Sequence, residues 1–199
     1  DPDRLREKLK GVFSFPITPF TQDDWSKLDE QGLRGNIRFL NKHGVHVACV
    51  CSGTGEISSL TPEEHKKVIQ VAVEEKGDVL IVPGIPPGVK VAVEISKYAE
   101  DVGADGLLVF PPTHECSEEG MEEYHKAIAE SINIGMMIYN TGNLAAMSAR
   151  SPEVIAKLAE IENIIAIKDE TGNFWALARL MQLAGDKLAW ICGIDYAAQ

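Results

Sequence analysis

The sequence predicts an α/β fold, a parallel (β/α)8 TIM barrel. Three observations carry that prediction. Short β-branched apolar runs alternate with amphipathic stretches from end to end of the 199 residues. Three runs, Val79-Leu-Ile-Val82, Leu107-Leu-Val-Phe110 and Ile164-Ile-Ala-Ile167, are apolar without alternation, as strands covered on both faces by helices must be. No dinucleotide fingerprint opens the first βα unit, where an open doubly wound sheet would carry it, and the near-equal repeats favour the barrel.

In chain order, strands are expected near 11–18, 45–52, 78–84, 106–111, 135–140, 164–169 and 188–193. Helices are expected near 29–43, 62–76, 88–102, 118–132, 151–161 and 173–185. Thr61-Pro-Glu-Glu64 is a capping box with proline at the first helical position. Ser117-Glu-Glu and Ser151-Pro-Glu open two further helices with a cap and early acids. Ala92, Ile95, Ala99 and Val102 keep one helical face apolar. Barrels of this kind run to about 250 residues, whereas this chain stops at Asp195-Tyr-Ala-Ala-Gln199, just past the seventh strand. The expectation is one β/α-barrel domain over 1–199, truncated after the seventh strand, without its eighth βα unit or C-terminal helices. Two strand edges would then be unpaired.

Thirty acids against nineteen bases give a net charge of −11. That disfavours nucleic acid and anionic membrane, both of which need a basic face. It leaves room for a small anionic substrate held by a few local donors. No run approaches the roughly 18 apolar residues of a membrane span, and the charged start Asp1-Pro-Asp-Arg-Leu-Arg-Glu has no apolar run behind it. The cysteines, Cys49, Cys51, Cys116 and Cys192, form no Cys-x-x-Cys pair, and they and the five histidines lack zinc-ligand spacing. Cys49 and Cys51, two apart, should point the same way from one strand. The reading is buried thiols in a reduced compartment, the cytoplasm, with no metal site.

A barrel's active site lies at the carboxyl ends of its strands. Lys168 follows Ile164-Ile-Ala-Ile167 directly, so its ammonium falls at the end of a buried strand. Burial lowers a lysine pKa, and a neutral amine attacks carbonyls. The alternative is a local ion pair with Asp169 or Glu170. Tyr139 ends the neighbouring strand, either as a phenol that moves protons or as a ring packed into the barrel. Ser52-Gly-Thr-Gly-Glu56 places two glycines where amides can hold a carboxylate, with the Thr54 hydroxyl beside them. It lacks the third glycine of a dinucleotide loop and the Gly-Lys-Ser/Thr of a P-loop. Glu56 reads as an acceptor for loop amides rather than as a catalytic acid.

Six segments, in order, resemble the dihydrodipicolinate synthase and N-acetylneuraminate lyase family of class I Schiff-base lyases. They are Phe15-Pro-Ile-Thr-Pro-Phe20, Gly53-Thr-Gly-Glu56 with Leu60-Thr-Pro-Glu-Glu-His65, Gly103-Ala-Asp-Gly-Leu107, Pro111-Pro112, Tyr139-Asn140 and Ile167-Lys-Asp169. The resemblance implies a β/α barrel with a helical C-terminal extension and a homotetramer. It implies Lys168 as the Schiff-base lysine, Tyr139 as the proton-relaying phenol, and Thr54 with the amides around Gly53 as the site of a 2-oxo acid carboxylate. Ser52, Asn140, Asn143 and Gly193 complete the expected substrate contacts. No cofactor is implied.

The departures narrow the reading. Gly53 stands where the synthase has the first threonine of its proton relay. Thr113 and His114 follow the paired prolines in place of tyrosines. Asn143 and Leu144 occupy the stretch of the arginine that binds the synthase's second substrate, and Arg150 lies too far on. The pattern is closer to the 5-dehydro-4-deoxyglucarate dehydratase branch, with sugar-acid aldolases also compatible. The expected function is a lyase that forms a lysine Schiff base with a 2-oxo acid and catalyses aldol cleavage, condensation or dehydration. The alternatives are dihydrodipicolinate synthesis proper, a metal-dependent barrel lyase and a non-catalytic 2-oxo-acid binder.

Overall fold

The computed structural model describes residues 1–113, 116–141 and 151–194. A short helix, α1 (Pro2–Lys8), comes first, followed by β1 (Phe13–Ser14), α2 (Glu30–Lys42), β2 (Val47–Ala48), α3 (Pro62–Glu75), β3 (Leu80–Ile81) and β4 (Gly84–Ile85). Then come α4 (Val89–Asp101), β5 (Gly106–Val109), α5 (Glu118–Ala129), β6 (Gly135–Thr141), α6 (Pro152–Leu158), β7 (Ile164–Glu170), α7 (Phe174–Ala184) and β8 (Ala189–Cys192). Every registered strand pair is parallel, in the orders β1-β2-β3 and β4-β5-β6-β7-β8.

The strand expected over 78–84 is present as two short ladders, β3 against β2 and β4 against β5. Gly84 N–H donates to Val50 C=O at 2.8 Å and Leu108 N–H to Pro83 C=O at 2.9 Å, so one strand bridges the two sets. The result is seven barrel strands in sequence order, with β1 and β8 as edges among the described residues. The first strand is shorter than expected because Pro16 and Pro19 have no N–H to give to a ladder.

Two cores follow from this wrapping. Outside the sheet, each of the six helices α2 to α7 sends in a buried aliphatic: Ile37, Ile69, Ile95, Ile128, Ile155 and Leu180. Inside it, Leu5, Val47, Val82, Leu108, Met137 and Ile191 pack together. The expected common direction of Cys49 and Cys51 does not hold. Cys51 turns left-handed at φ 53° and joins the outer core, while Cys49 stays in the inner one. Among the described residues no helix is long and apolar enough to cross a membrane.

The capping signals form as read. Thr61 accepts from the Glu64 N–H at 3.2 Å, and the Glu64 carboxylate accepts from the Thr61 N–H at 2.9 Å. Helix α1 was not expected, although Asp1-Pro2 is a cap followed by proline at the first helical position. The Arg4 N–H donates to Asp1 Oδ1 at 3.2 Å. This helix carries Leu5 under the sheet, where a Cβ added to Gly106 would lie 2.5 Å from Leu5 Cδ2. Leu5→Ala should therefore lower stability by about 2–4 kcal/mol, read as a shift in the urea midpoint at unchanged slope.

Candidate active site

Lys168 sits on β7 directly opposite Tyr139 on β6. A register shift between Met136 and Met137 lets Ile165 bulge, since Met136 pairs with Ile164 and Met137 with Ala166. Beyond the bulge the pleat turns Ala166, Lys168 and Glu170 to one face and Ile167 and Asp169 to the other. Lys168 is only 7% exposed. Its Nζ lies 4.3 Å from the Tyr139 ring centroid and 4.7 Å from that of Phe15, at the end of the first strand. Phe110 meets Tyr139 at a tilt of 58°, with ring centroids 4.7 Å apart.

Burial pushes the Lys168 ammonium down from 10.5 to about 8. Its partner is Glu170, whose Oε2 is 2.8 Å away. Burial pushes that carboxyl up from 4.5 to about 7. Each charge holds the other in its ionised form against that push. Cys49, also in the inner core, is pushed up to about 12, so its thiol stays protonated. Lys168, not Cys49, is therefore the inner-core group with an accessible nucleophilic form at neutral pH.

Ser52, Gly53, Thr54, Tyr139, Lys168 and Gly193 line one cavity of about 770 Å³, open between β1 and β8. The 52–56 loop is held by contacts the sequence reading missed. Buried Thr18 donates to Gly55 C=O at 2.7 Å. His65 on α3 donates through Nε2 to Gly84 C=O at 2.8 Å. A Cβ at Gly84 would fall 2.5 Å from Cys51 C=O, so only glycine lets the strand pass beneath the loop. Glu56 N–H bonds Gly53 C=O and Ile57 N–H bonds Ser52 C=O. Among the described residues no hydrogen bond takes up the N–H of Gly53 or Thr54. The Ser52 hydroxyl is committed to Cys49 C=O at 2.9 Å.

Not every expected site residue is brought together. Asn140 faces the helix layer, where its amide donates to Asp169 Oδ2 at 2.6 Å, and it does not line the cavity. Alternation along β6 is the reason: Tyr139 points in, so its neighbour points out. The same alternation removes Asp169 as a partner for Lys168. Asn143, His114 and Arg150 lie outside the described residues. Gly193 does line the cavity, and a Cβ there would sit 2.8 Å from Glu170 Cβ; its visible role is to leave room for that side chain.

A seven-stranded parallel β/α sheet with a buried lysine facing a tyrosine at the strand ends is a β/α barrel in outline. The sequence profile of the dihydrodipicolinate synthetase family matches residues 8–199, and the chain belongs to that family. It is 39% identical over 181 residues to 4-hydroxy-tetrahydrodipicolinate synthase of Methanothrix thermoacetophila, covering 90% of this chain and 60% of that protein. It is 38% identical over 200 residues to a probable 5-dehydro-4-deoxyglucarate dehydratase of Corynebacterium glutamicum, covering 98% and 61%. It superposes with a TM-score of 0.88 and 29% identity on the chloride-inhibited dihydrodipicolinate synthase of Acinetobacter baumannii complexed with pyruvate, covering 96% of this chain and 65% of that one. The chain thus spans under two thirds of the length of these relatives.

The histidine that braces the loop makes a stability prediction. Burial pushes His65 down from 6.5 to about 4, against the pull of its bond to Gly84. An unfolded chain protonates this imidazole from about pH 6.5, and the folded one only near 4. The folded state should therefore lose about 3 kcal/mol between those values through this group alone. Denaturant titrations across that range should show the loss, and His65→Gln should flatten it.

Proposed function

We propose that the chain carries the Schiff-base site of a lyase acting on 2-oxo acids. The observation that carries this reading is the Lys168 nitrogen, nearly out of water at the floor of the strand-end cavity, with its ammonium form weakened by burial. The neutral amine attacks the ketone carbon, and the Tyr139 phenol moves protons as the carbinolamine forms and loses water. The unused N–H groups of Gly53 and Thr54, with the Thr54 hydroxyl, hold the substrate carboxylate. The iminium then withdraws electrons from the adjacent carbon. A proton leaves there and the enamine expels a β-hydroxyl, or a carbon–carbon bond breaks and the enamine is protonated. The iminium is the electron sink that a metal or organic cofactor supplies elsewhere, so the reading calls for neither.

Relatives named as synthase and as dehydratase both support a 2-oxo acid substrate, and pyruvate is bound in one of the solved neighbours. Gly53 in place of a threonine, and no arginine soon after Tyr139-Asn140, favour a sugar-derived 2-oxo acid over dihydrodipicolinate synthesis. A single barrel domain, a homotetramer and a cytoplasmic setting belong to the same reading, on the strength of the family resemblance.

The test is borohydride reduction with pyruvate and a panel of sugar-derived 2-oxo acids, read by peptide mass. The expected result is a reduced adduct on Lys168 with at least one substrate. Lys168→Ala should give no adduct and no turnover while keeping its far-ultraviolet circular dichroism. Wild-type protein that traps none of the panel contradicts the reading.

A further inference from the structure

We infer that Glu170 is a catalytic residue of this site: its carboxylate takes a proton from Lys168 Nζ before attack and returns it to the departing hydroxyl of the carbinolamine. The inference rests on the Schiff-base reading above and adds a proton carrier that neither the family resemblance nor the named relatives supply.

Geometry singles out this carboxylate. Oε2 of Glu170 is 2.8 Å from Nζ, within hydrogen-bond reach, and the two side chains are 16% and 9% exposed. The other groups around Nζ are poorly suited to take its proton. Tyr139 and Phe15 turn ring faces to the resting ammonium at 4.3 and 4.7 Å, which favour the cation before attack rather than deprotonate it. The Cys49 thiol is held protonated by burial. The Cys192 thiol at the end of β8 donates to Ile194 C=O at 3.1 Å. Asp169 points to the helix layer and accepts from Asn140 and Thr171. Among the described residues Glu170 is the one carboxylate paired with this nitrogen.

The structure also makes room for the pair. Glu170 shares the inward face with Lys168 because the two are two residues apart on β7. Gly193, following β8, lies against it: an added Cβ would be 2.8 Å from Glu170 Cβ and 3.1 Å from Oε2. Any larger residue would push the carboxylate off the lysine. Gly193 is thus a positioning residue that acts through Glu170.

The protons balance. The ammonium gives one proton to the carboxylate, leaving a neutral amine beside a carboxylic acid. The amine nitrogen forms its bond to the ketone carbon. Its surplus proton passes to the former ketone oxygen, by way of the Tyr139 phenol. The carboxylic acid then protonates that hydroxyl, the carbon–oxygen bond breaks, water leaves, and the nitrogen lone pair completes the C=N bond. Ammonium plus ketone have become iminium plus water, and the carboxylate is restored. Burial weakens both charges and so lowers the cost of the first transfer.

The test is the rate of adduct formation with pyruvate, quenched with borohydride at timed points across pH 5.5 to 9 and read by mass. In the wild type the rate should fall as the pH drops below about 7, where Glu170 is already protonated and cannot accept. Glu170→Gln should form the same Lys168 adduct about a hundredfold more slowly and lose that inflection. Glu170→Ala should behave alike, with part of the rate restored by added acetate. Gly193→Ala should slow the reaction with the inflection displaced.

If E170Q traps at the wild-type rate or faster, as a carboxylate that merely keeps the ammonium charged would require, the inference is overturned. A uniform slowing with the inflection intact overturns it too. Should E170Q fail to fold, E170A decides: an acetate-dependent rate supports the inference, and an acetate-independent one overturns it. Wild-type protein that yields no adduct sinks the Schiff-base reading itself, an outcome distinct from normal trapping with an undisturbed E170Q.

Discussion

One ammonium group at the end of a parallel strand sets the terms for the rest of this site. Lys168 is drawn out of water by the rings of Phe15 and Tyr139 and by the strands on either side. A lone buried cation would be intolerable. Two things make it tolerable here: the Glu170 carboxylate at hydrogen-bond distance and the electron-rich faces of the two rings. Such an arrangement keeps the nitrogen charged at rest but lets it become neutral at little cost, which is what a carbonyl-attacking amine needs.

The fold brings these groups together from distant parts of the chain. Lys168 and its partner Glu170 come from β7, Tyr139 from β6, Phe15 from the first strand and the glycine loop from the end of β2. Three features align them. The bulge at Ile165 sets the pleat so that Lys168 and Tyr139 face each other. The His65–Gly84 bond and the Thr18–Gly55 bond fix the loop above them. Glycine at 84 and 193 leaves space that a side chain would fill. Loop and lysine thus rest on rigid elements, as a preorganised site must.

Much of this was legible in the sequence, and the reasons are specific. Strand runs without alternation gave the parallel sheet, and caps such as Thr61-Pro-Glu-Glu64 gave helix starts to within a residue or two. The rule that strand ends face the cavity places Lys168, Tyr139, Gly53 and Thr54 on its lining. Asn140 lies off the cavity because period-two alternation, counted from Tyr139, turns it outward to Asp169. That same alternation, counted from Lys168, singles out Glu170 over Asp169 as the partner. The roles of Thr18 and His65 were not readable, since each acts on a backbone carbonyl far off in sequence. The N-terminal helix has its signal in Asp1-Pro2, a cap followed by proline at the first helical position.

Lys168 gives up its proton far more easily than an ordinary lysine. The most direct check is a carbon-13 NMR titration of lysine Cε, with the Lys168 signal assigned by its loss in Lys168→Ala. The expected midpoint for that signal is near 8. A midpoint at the ordinary 10.5 would contradict it.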